Sequence, residues 1–215
     1  MTARNIALIA GGYSGEYEVS INSARNIAST LNPEKYKVYT ILVSRDSWFY
    51  NSSNGEKIEV DKNDFSLTIN SQKIKFDAAF ITIHGTPGED GKMQGYLDML
   101  GIPYNNCDAA TSAITMNKAY TKAIVKDIPN LHVAGSVQVF RRDQESVLQQ
   151  IEHLKMPWFI KPNNGGSSVG MSKVNAKEAL PEALQKAFAE DEQVLVEEFI
   201  KGREFSIGIV QFGKE

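Results

Sequence analysis

Ile6, Ala7, Leu8, Ile9 and Ala10 form one short apolar run that stops at Gly11–Gly12. A run apolar on both faces and bounded by glycines predicts a central strand of a parallel sheet rather than a half-exposed one. Ile21, Ala24, Ala28 and Leu31 then recur at helical spacing and close at Asn32–Pro33, which predicts a helix. Tyr36–Val43 returns to strand composition. Strand, helix, strand in this order implies a parallel pair joined by a right-handed crossover. Residues 44–75 are less regular, and the short pieces around Trp48-Phe49-Tyr50, Phe65–Ile69 and Ile74–Phe76 read as edge strands or small hairpins. A strand at Ala78–Ile83 leads into His84–Gly85. Met93, Tyr96, Leu97 and Leu100 mark one face of a helix ending at Gly101, and Ile102-Pro103-Tyr104 could add another strand.

Beyond residue 110 the pattern changes. A helix is expected over about 115–126, an extended segment at Val133–Phe140, and a helix marked by Val147, Ile151 and Leu154. Phe159–Ile160 enters a strand that ends in a glycine/serine loop, and Met171–Val174 leaves it as another. A helix rich in Ala and Leu runs to about 189, with Pro181 placed in its first turn because proline has no N–H to donate. A strand follows at Gln193–Glu198, and Phe205–Phe212 reads as one more. Antiparallel strands with helices make this an α+β unit rather than a repeat of the first. Three regions are therefore expected: an α/β unit at 1–110, a central unit at 111–202, and the opening strand of a third at 203–215.

Composition narrows the class. The chain has 215 residues, enough to bury roughly 70% of its extended surface. A single cysteine, Cys107, removes a disulfide framework and any multi-cysteine metal site. No apolar window is long enough to span a bilayer, and the amino-terminal run leads into Gly-Gly rather than a cleavage site. The net charge of −3 argues against a nucleic-acid scaffold, so neither nucleic acid nor membrane is expected as a partner.

Four stretches could carry chemistry. Gly11-Gly12-Tyr13-Ser14-Gly15-Glu16-Tyr17-Glu18-Val19-Ser20 joins a strand to a helix, where backbone amides favour anions. It lacks the spaced glycines of a dinucleotide site, and its acids suit a ligand ammonium better than a phosphate. A tight turn with helix-capping acids fits the same residues. His84-Gly85-Thr86-Pro87-Gly88-Glu89-Asp90-Gly91 sits at the carboxyl end of a strand, where open sheets bind ligands. Its histidine could orient a carboxylate or share a proton, or be structural; His132 and His153 lie too far away to complete a metal set. Lys161-Pro162-Asn163-Asn164-Gly165-Gly166-Ser167-Ser168-Val169-Gly170-Met171 puts a fixed cation before a flap of backbone and hydroxyl donors, which is chemistry for oligophosphate. It is not a P-loop, since the lysine precedes the glycines. Glu197-Glu198-Phe199-Ile200-Lys201-Gly202-Arg203-Glu204-Phe205 could offer an apolar slot and an acid to a nucleoside, or be a charged connector. Lys118 could be a second phosphate lysine or ordinary solvated surface.

Taken in order and spacing, these stretches resemble the D-alanine–D-alanine ligase family within the ATP-grasp enzymes. The likeness is carried by Gly11-Gly12-x-Ser14-x-Glu16-x-Glu18-Val19-Ser20, by His84-Gly85-x-x-Gly88-Glu89-Asp90-Gly91-x-x-Gln94-Gly95, by Lys161-Pro162 with Gly166–Val174, and by Val194–Phe199 with Gly202–Phe205. It covers essentially the whole chain, but only the amino-terminal two-thirds of the family pattern. The implied fold is a small parallel-sheet domain followed by the α+β small lobe of an ATP-grasp domain, without the large lobe.

The resemblance also implies site roles. Glu16 would hold the ammonium of a first D-alanine and be linked to Ser167, both counting as catalytic, with His84 beside that substrate. Lys118 and Lys161 would bind ATP phosphates under Ser167, Ser168 and Val169. Glu197, Glu198 and Phe199 would meet adenine, and Glu204 the ribose. The implied reaction makes D-Ala-D-Ala through a D-alanyl phosphate, with ATP and two Mg²⁺ (or Mn²⁺) ions whose ligands lie in the family's carboxy-terminal part. A cytoplasmic homodimer serving peptidoglycan synthesis is implied as well. The 215-residue chain alone is then expected to be inactive, because without the metals the charge on the transferring phosphoryl group is not offset. One departure is Asn117, where the family usually has Asp before the lysine. Alternatives are a relative forming D-Ala-D-lactate or D-Ala-D-Ser, or a non-catalytic nucleotide-binding module. Such a module would explain Lys161 and the flap but would not need Glu16 and His84.

Overall fold

In the computed structural model, which describes residues 2–166 and 168–209, the first apolar run becomes β1 (Arg4–Gly11), buried from Ile6 onward. It is followed by α1 (Tyr17–Thr30), β2 (Tyr36–Val43), β3 (Trp48–Asn51), β4 (Lys57–Glu59), β5 (Leu67–Ile69), β6 (Gln72–Ile74) and β7 (Ala78–Ile81). β1 lies between β2 and β7 and pairs in parallel with both, Ile9 standing opposite Ile41 on one side and Ile81 on the other. Its residues alternate between two cores because successive side chains point to opposite faces. Ala7 and Ile9 join Tyr39, Ile41 and Val43 against α2 (Lys92–Leu100), whereas Leu8 and Ala10 meet Ala24 of α1. This is why the sequence is apolar at every position there.

The sheet order is β4-β3-β2-β1-β7, with β3 and β4 antiparallel, so the sheet is mixed rather than purely parallel. β5 and β6 form a separate hairpin. The irregular segment from 44 to 75 is organised by aromatic packing: Trp48 meets Phe65 and Tyr96 edge-on, at centroid distances of 6.3 and 5.5 Å. Ile102-Pro103-Tyr104 does not form a strand. Proline has no N–H to donate, and the segment keeps one bridge, Ala79 with Tyr104, and one bond from the Ala79 N–H to the Pro103 carbonyl.

The helix expected over 115–126 is two helices, α3 (Ala109–Met116) and α4 (Lys118–Val125). Between them Asn117 takes an extended conformation (φ −88°, ψ 107°), and its side chain accepts the Tyr120 N–H at 3.0 Å, starting α4 anew. Next come β8 (Ser136–Phe140), a 3₁₀ turn at Arg141–Ser146, α5 (Val147–Gln150), β9 (Trp158–Pro162), β10 (Ser172–Val174), α6 (Leu180–Phe188) and β11 (Gln193–Glu198). The strands form an antiparallel sheet in the order β10-β9-β11-β8. On α6, Leu180, Ala183, Leu184, Ala187 and Phe188 make one stripe that packs on Ile160, Val194 and Val196, with Trp158 buried in the same core. Pro181 sits in the first turn. The opposite face of this sheet carries Phe159, Lys161, Leu195 and Glu197, as the strand register requires.

Residues 203–209 carry no strand. Phe205, Ile207 and Ile209 alternate as a strand would, yet they are exposed and no described residue pairs with them. A strand is defined by its ladder, so alternation without a neighbour does not produce one. The rest of the expected Phe205–Phe212 segment lies outside the described residues.

A close glycine contact beneath the His84 loop yields a test. A Cβ on Gly88 would fall 2.5 Å from the Ile83 Cβ and 2.6 Å from its carbonyl oxygen, whereas one on Gly15 would meet nothing within 4 Å. Gly88→Ala is therefore expected to lower stability by about 1–3 kcal/mol through overpacking, with Gly15→Ala close to neutral. Urea midpoints compare the two, and equal midpoints would contradict the close packing of this loop on Ile83.

Candidate active site

The carboxyl ends of β1 and β7 face the β9–β10 loop across a cleft of about 930 Å³. On one side the chain leaves β1 through Gly11 and Gly12, at φ +96° and +106°. A Cβ on either would stand 2.6 Å from another atom, the Val43 carbonyl oxygen or the Ile83 Cγ2. Glycine is needed here for both shape and space. The Ser14 hydroxyl donates to the His84 carbonyl at 2.7 Å, tying the two loops together, and accepts the Glu16 N–H at 3.2 Å. The Gly85 N–H donates to Glu89 Oε2 at 2.7 Å, which braces the second loop from within. Glu16 stands at the start of α1 and lines the cleft. Its Oε2 is 3.2 Å from the position a Cβ on Gly166 would take, so the two loops meet directly.

The other side is built on β9 and α4. Asn163 is fully buried. Its Oδ1 accepts the Ala119 N–H at 2.9 Å, its Nδ2 donates to Gln193 Oε1 at 3.0 Å, and its carbonyl accepts the Lys118 N–H at 3.1 Å. The first turn of α4 is thereby fixed to the end of β9. Lys118 Nζ donates to the Gly165 carbonyl at 2.6 Å and lies 3.4 Å from that of Asn163. Lys161 and Glu197 are diagonal neighbours on β9 and β11 and form an ion pair. The other oxygen of Glu197 accepts from Lys122 Nζ at 2.5 Å, and Lys122 also donates to the Ala134 carbonyl at 2.7 Å. Lys118, Lys161, Gly166 and Ser168 line a small cavity of about 140 Å³ under the loop. Burial, and then the neighbouring Lys161, hold the Lys118 ammonium below its ordinary 10.5, against the opposing pull of Asp191 and Glu197. Two cations lining one small cavity suit an oligophosphate.

The residues singled out in the sequence fall into two groups. Glu16, Lys118, Lys161 and Val169 border the cleft or its small annex, and Ser168, at φ +60°, borders the annex. Ser167 lies outside the described residues. At the His84 loop, Gly85 and Thr86 line the cleft while His84 contributes its carbonyl to Ser14. Glu197 is buried among lysines. Glu198 instead accepts the Lys155 N–H at 2.8 Å. The Phe199 N–H is used by the Pro157 carbonyl, and its ring stacks on Phe159 at 6.3 Å with Lys173 above it at 3.7 Å. Glu204 is exposed in the segment without regular structure. Sequence reasoning missed Lys122 and Asn163. The available signal for Lys122 was its i, i+4 spacing from Lys118, which puts both on one face of α4.

Two family models match the chain: "D-ala D-ala ligase N-terminus" over residues 5–107 and "D-ala D-ala ligase C-terminus" over residues 127–215. The chain belongs to the D-alanine–D-alanine ligase family. Among its ligase relatives, the D-alanine–D-alanine ligase of Parabacteroides distasonis is 43% identical over 213 residues, covering 99% of this chain and 64% of the relative. That of Flavobacterium johnsoniae is 38% identical, covering 99% and 65%. Among solved structures, the VanG D-Ala:D-Ser ligase from Enterococcus faecalis superposes with a TM-score of 0.81 at 33% identity, over 93% of this chain and 64% of that one. D-alanyl-alanine synthetase A from Vibrio cholerae gives 0.79 at 32% identity, over 94% and 60%. The chain thus spans about 64% of the length of the curated relatives it matches. Among the described residues of this ligase-family chain, no group of three or more His, Cys, Asp or Glu side chains could hold a metal ion, and no helix is long and apolar enough to cross a membrane.

Lys118 gives a prediction with a definite sign. Its folded pKa lies below its unfolded value, so between the two the unfolded chain binds more protons and stability rises with pH. The penalty for the charged form is complete below the depressed folded value and is relieved as pH climbs toward 10.5. The urea midpoint of the wild type is therefore expected to gain on that of Lys118→Met as pH is raised from neutrality toward 10.5. Parallel pH profiles for the two proteins would contradict the burial of this ammonium.

Proposed function

We propose that the protein ligates two D-alanine molecules at the expense of ATP, through a D-alanyl phosphate, and so supplies D-Ala-D-Ala for peptidoglycan synthesis. The observation that carries this reading is the convergence of Lys118 and Lys161 on the small cavity under the loop, which shares Pro162, Gly165, Gly166 and Val169 with the cleft that Glu16 lines from the other domain. Two cations at one end and an acid at the other match a reaction that joins a polyphosphate to a substrate bearing an ammonium.

In this reading Lys118 and Lys161 hold the phosphates and offset their charge, with the loop amides closing over them. Glu16 pairs with the ammonium of the first D-alanine, so that its carboxylate is directed toward the phosphate end. That carboxylate takes the terminal phosphoryl group, releasing ADP. The amine of the second D-alanine then attacks the acyl carbon and expels phosphate. The loop keeps water from the activated carboxyl in the interval. Glu197 and the backbone near Phe199 border the nucleoside end, with Glu204 serving the ribose. Two Mg²⁺ (or Mn²⁺) ions belong to the reading and would spread the charge of the transferring group; no described residue is assigned to them. A homodimer in the cytoplasm completes it. The likeness to the VanG D-Ala:D-Ser ligase supports a second reading, in which the second substrate is D-serine.

The test is D-alanine-dependent phosphate release from ATP and Mg²⁺ with detection of the dipeptide, run on the product of the whole reading frame beside this chain. The whole product is expected to turn over, and Lys161→Met to lower kcat/KM by about 10²–10³-fold. D-serine and D-lactate offered beside D-alanine separate the readings by product. A folded whole product that forms none of the three products would overturn the ligase reading.

A further inference from the structure

The two oxygens of Glu197 are divided between two lysines that arrive from different elements. Lys122 of α4 takes Oε1 and is anchored a second time by the Ala134 carbonyl at 2.7 Å, whereas Lys161 of β9 takes Oε2 and also lines the small cavity with Lys118. All three side chains of this triad are largely withdrawn from solvent, with 17%, 11% and 19% of Lys122, Glu197 and Lys161 exposed. A carboxylate this buried cannot give up a cation without another in place, because an uncompensated buried charge is strongly destabilising. Lys161 is therefore restrained by the group that balances it, and it can turn to a ligand only if Glu197 stays balanced.

We infer that Lys122 is a positioning residue for nucleotide binding: by remaining on Glu197 Oε1 it keeps that carboxylate neutralised, so that Lys161 can exchange Oε2 for a phosphate oxygen. This inference rests on the reading of Lys118 and Lys161 as phosphate ligands. The geometry separates the roles of the three lysines. Lys118 and Lys161 both line the cavity, the first bonded to a loop carbonyl and the second to Glu197, whereas Lys122 is held on the far side of the carboxylate by two acceptors fixed in the fold. Without Lys122, Glu197 would have Lys161 as its only partner in the triad and would hold it more firmly. The consequence falls on ligands that carry phosphate and spares those that do not.

The experiment measures the affinity of this chain for ATP and for adenosine, by competition against a fluorescent ATP analogue with no D-alanine present, and reads the ratio of the two. Lys122→Gln is expected to weaken ATP by about tenfold or more and to leave adenosine unchanged. Lys122→Arg, which keeps the charge, is expected to preserve most of the ATP preference. Adding Glu197→Gln to Lys122→Gln removes the carboxylate that traps Lys161 and is expected to restore the ratio. An unchanged ratio in Lys122→Gln, whether ATP binds as before or both ligands weaken together, overturns the inference, and so does a lost ratio that the double variant does not recover. If Lys122→Gln fails to fold, Glu197→Gln alone decides, since the ratio must rise if Glu197 restrains Lys161. A wild-type chain that binds no ATP overturns the nucleotide reading itself, which is a different result from an unchanged ratio.

Discussion

The Asn163 side chain is fully buried and uses both of its ends, accepting the Ala119 amide and donating to Gln193, while its backbone takes the Lys118 amide and gives its own N–H to the Gln193 carbonyl. One residue thus locks the first turn of α4, the end of β9 and the start of β11 into a single frame. A buried amide with its partners in place specifies geometry, because any displacement leaves a donor or acceptor unsatisfied at a cost of about 1–3 kcal/mol. Lys118, Lys122, Lys161 and Glu197 all hang from these three elements, and their mutual distances follow from that lock. The β9–β10 loop begins at the same residue, so the roof of the small cavity is set from the same point.

The fold was most legible where local pattern and tertiary environment demand the same thing. The Ile6–Ala10 run is apolar throughout because β1 has a core on each face, and the α6 stripe, with proline in its first turn, is a helix by periodicity and by packing. Legibility failed where a single residue decides. Asn117 interrupts a continuous apolar periodicity because its amide caps the next helix, and nothing in the hydrophobic pattern records that choice. Phe205, Ile207 and Ile209 have the right alternation, but an alternating segment is only half of a ladder.

The candidate site shows the same division. Glycines, the strand-end lysine and the acids near Gly12 and His84 could be picked out because their chemistry is written in short, spaced strings. Lys122 could be paired with Lys118 by its spacing, but its role could not be read, since it depends on Glu197, 75 positions away. Nor could the part played by Glu89, which accepts a backbone amide of its own loop rather than meeting the cleft. Side chains that face a ligand leave a mark in sequence spacing. Those that hold other side chains in place are apparent only when the chain is folded.

The distribution of the two tryptophans has a practical side. Trp48 packs among Phe65 and Tyr96 in the amino-terminal unit, and Trp158 is buried beneath α6 in the other. The chain has no third. Each core therefore carries its own intrinsic fluorophore, and replacing one indole by phenylalanine leaves an optical signal that belongs to the other unit alone. Whether the two halves unfold as one cooperative block or in succession becomes visible in the emission of a single ring.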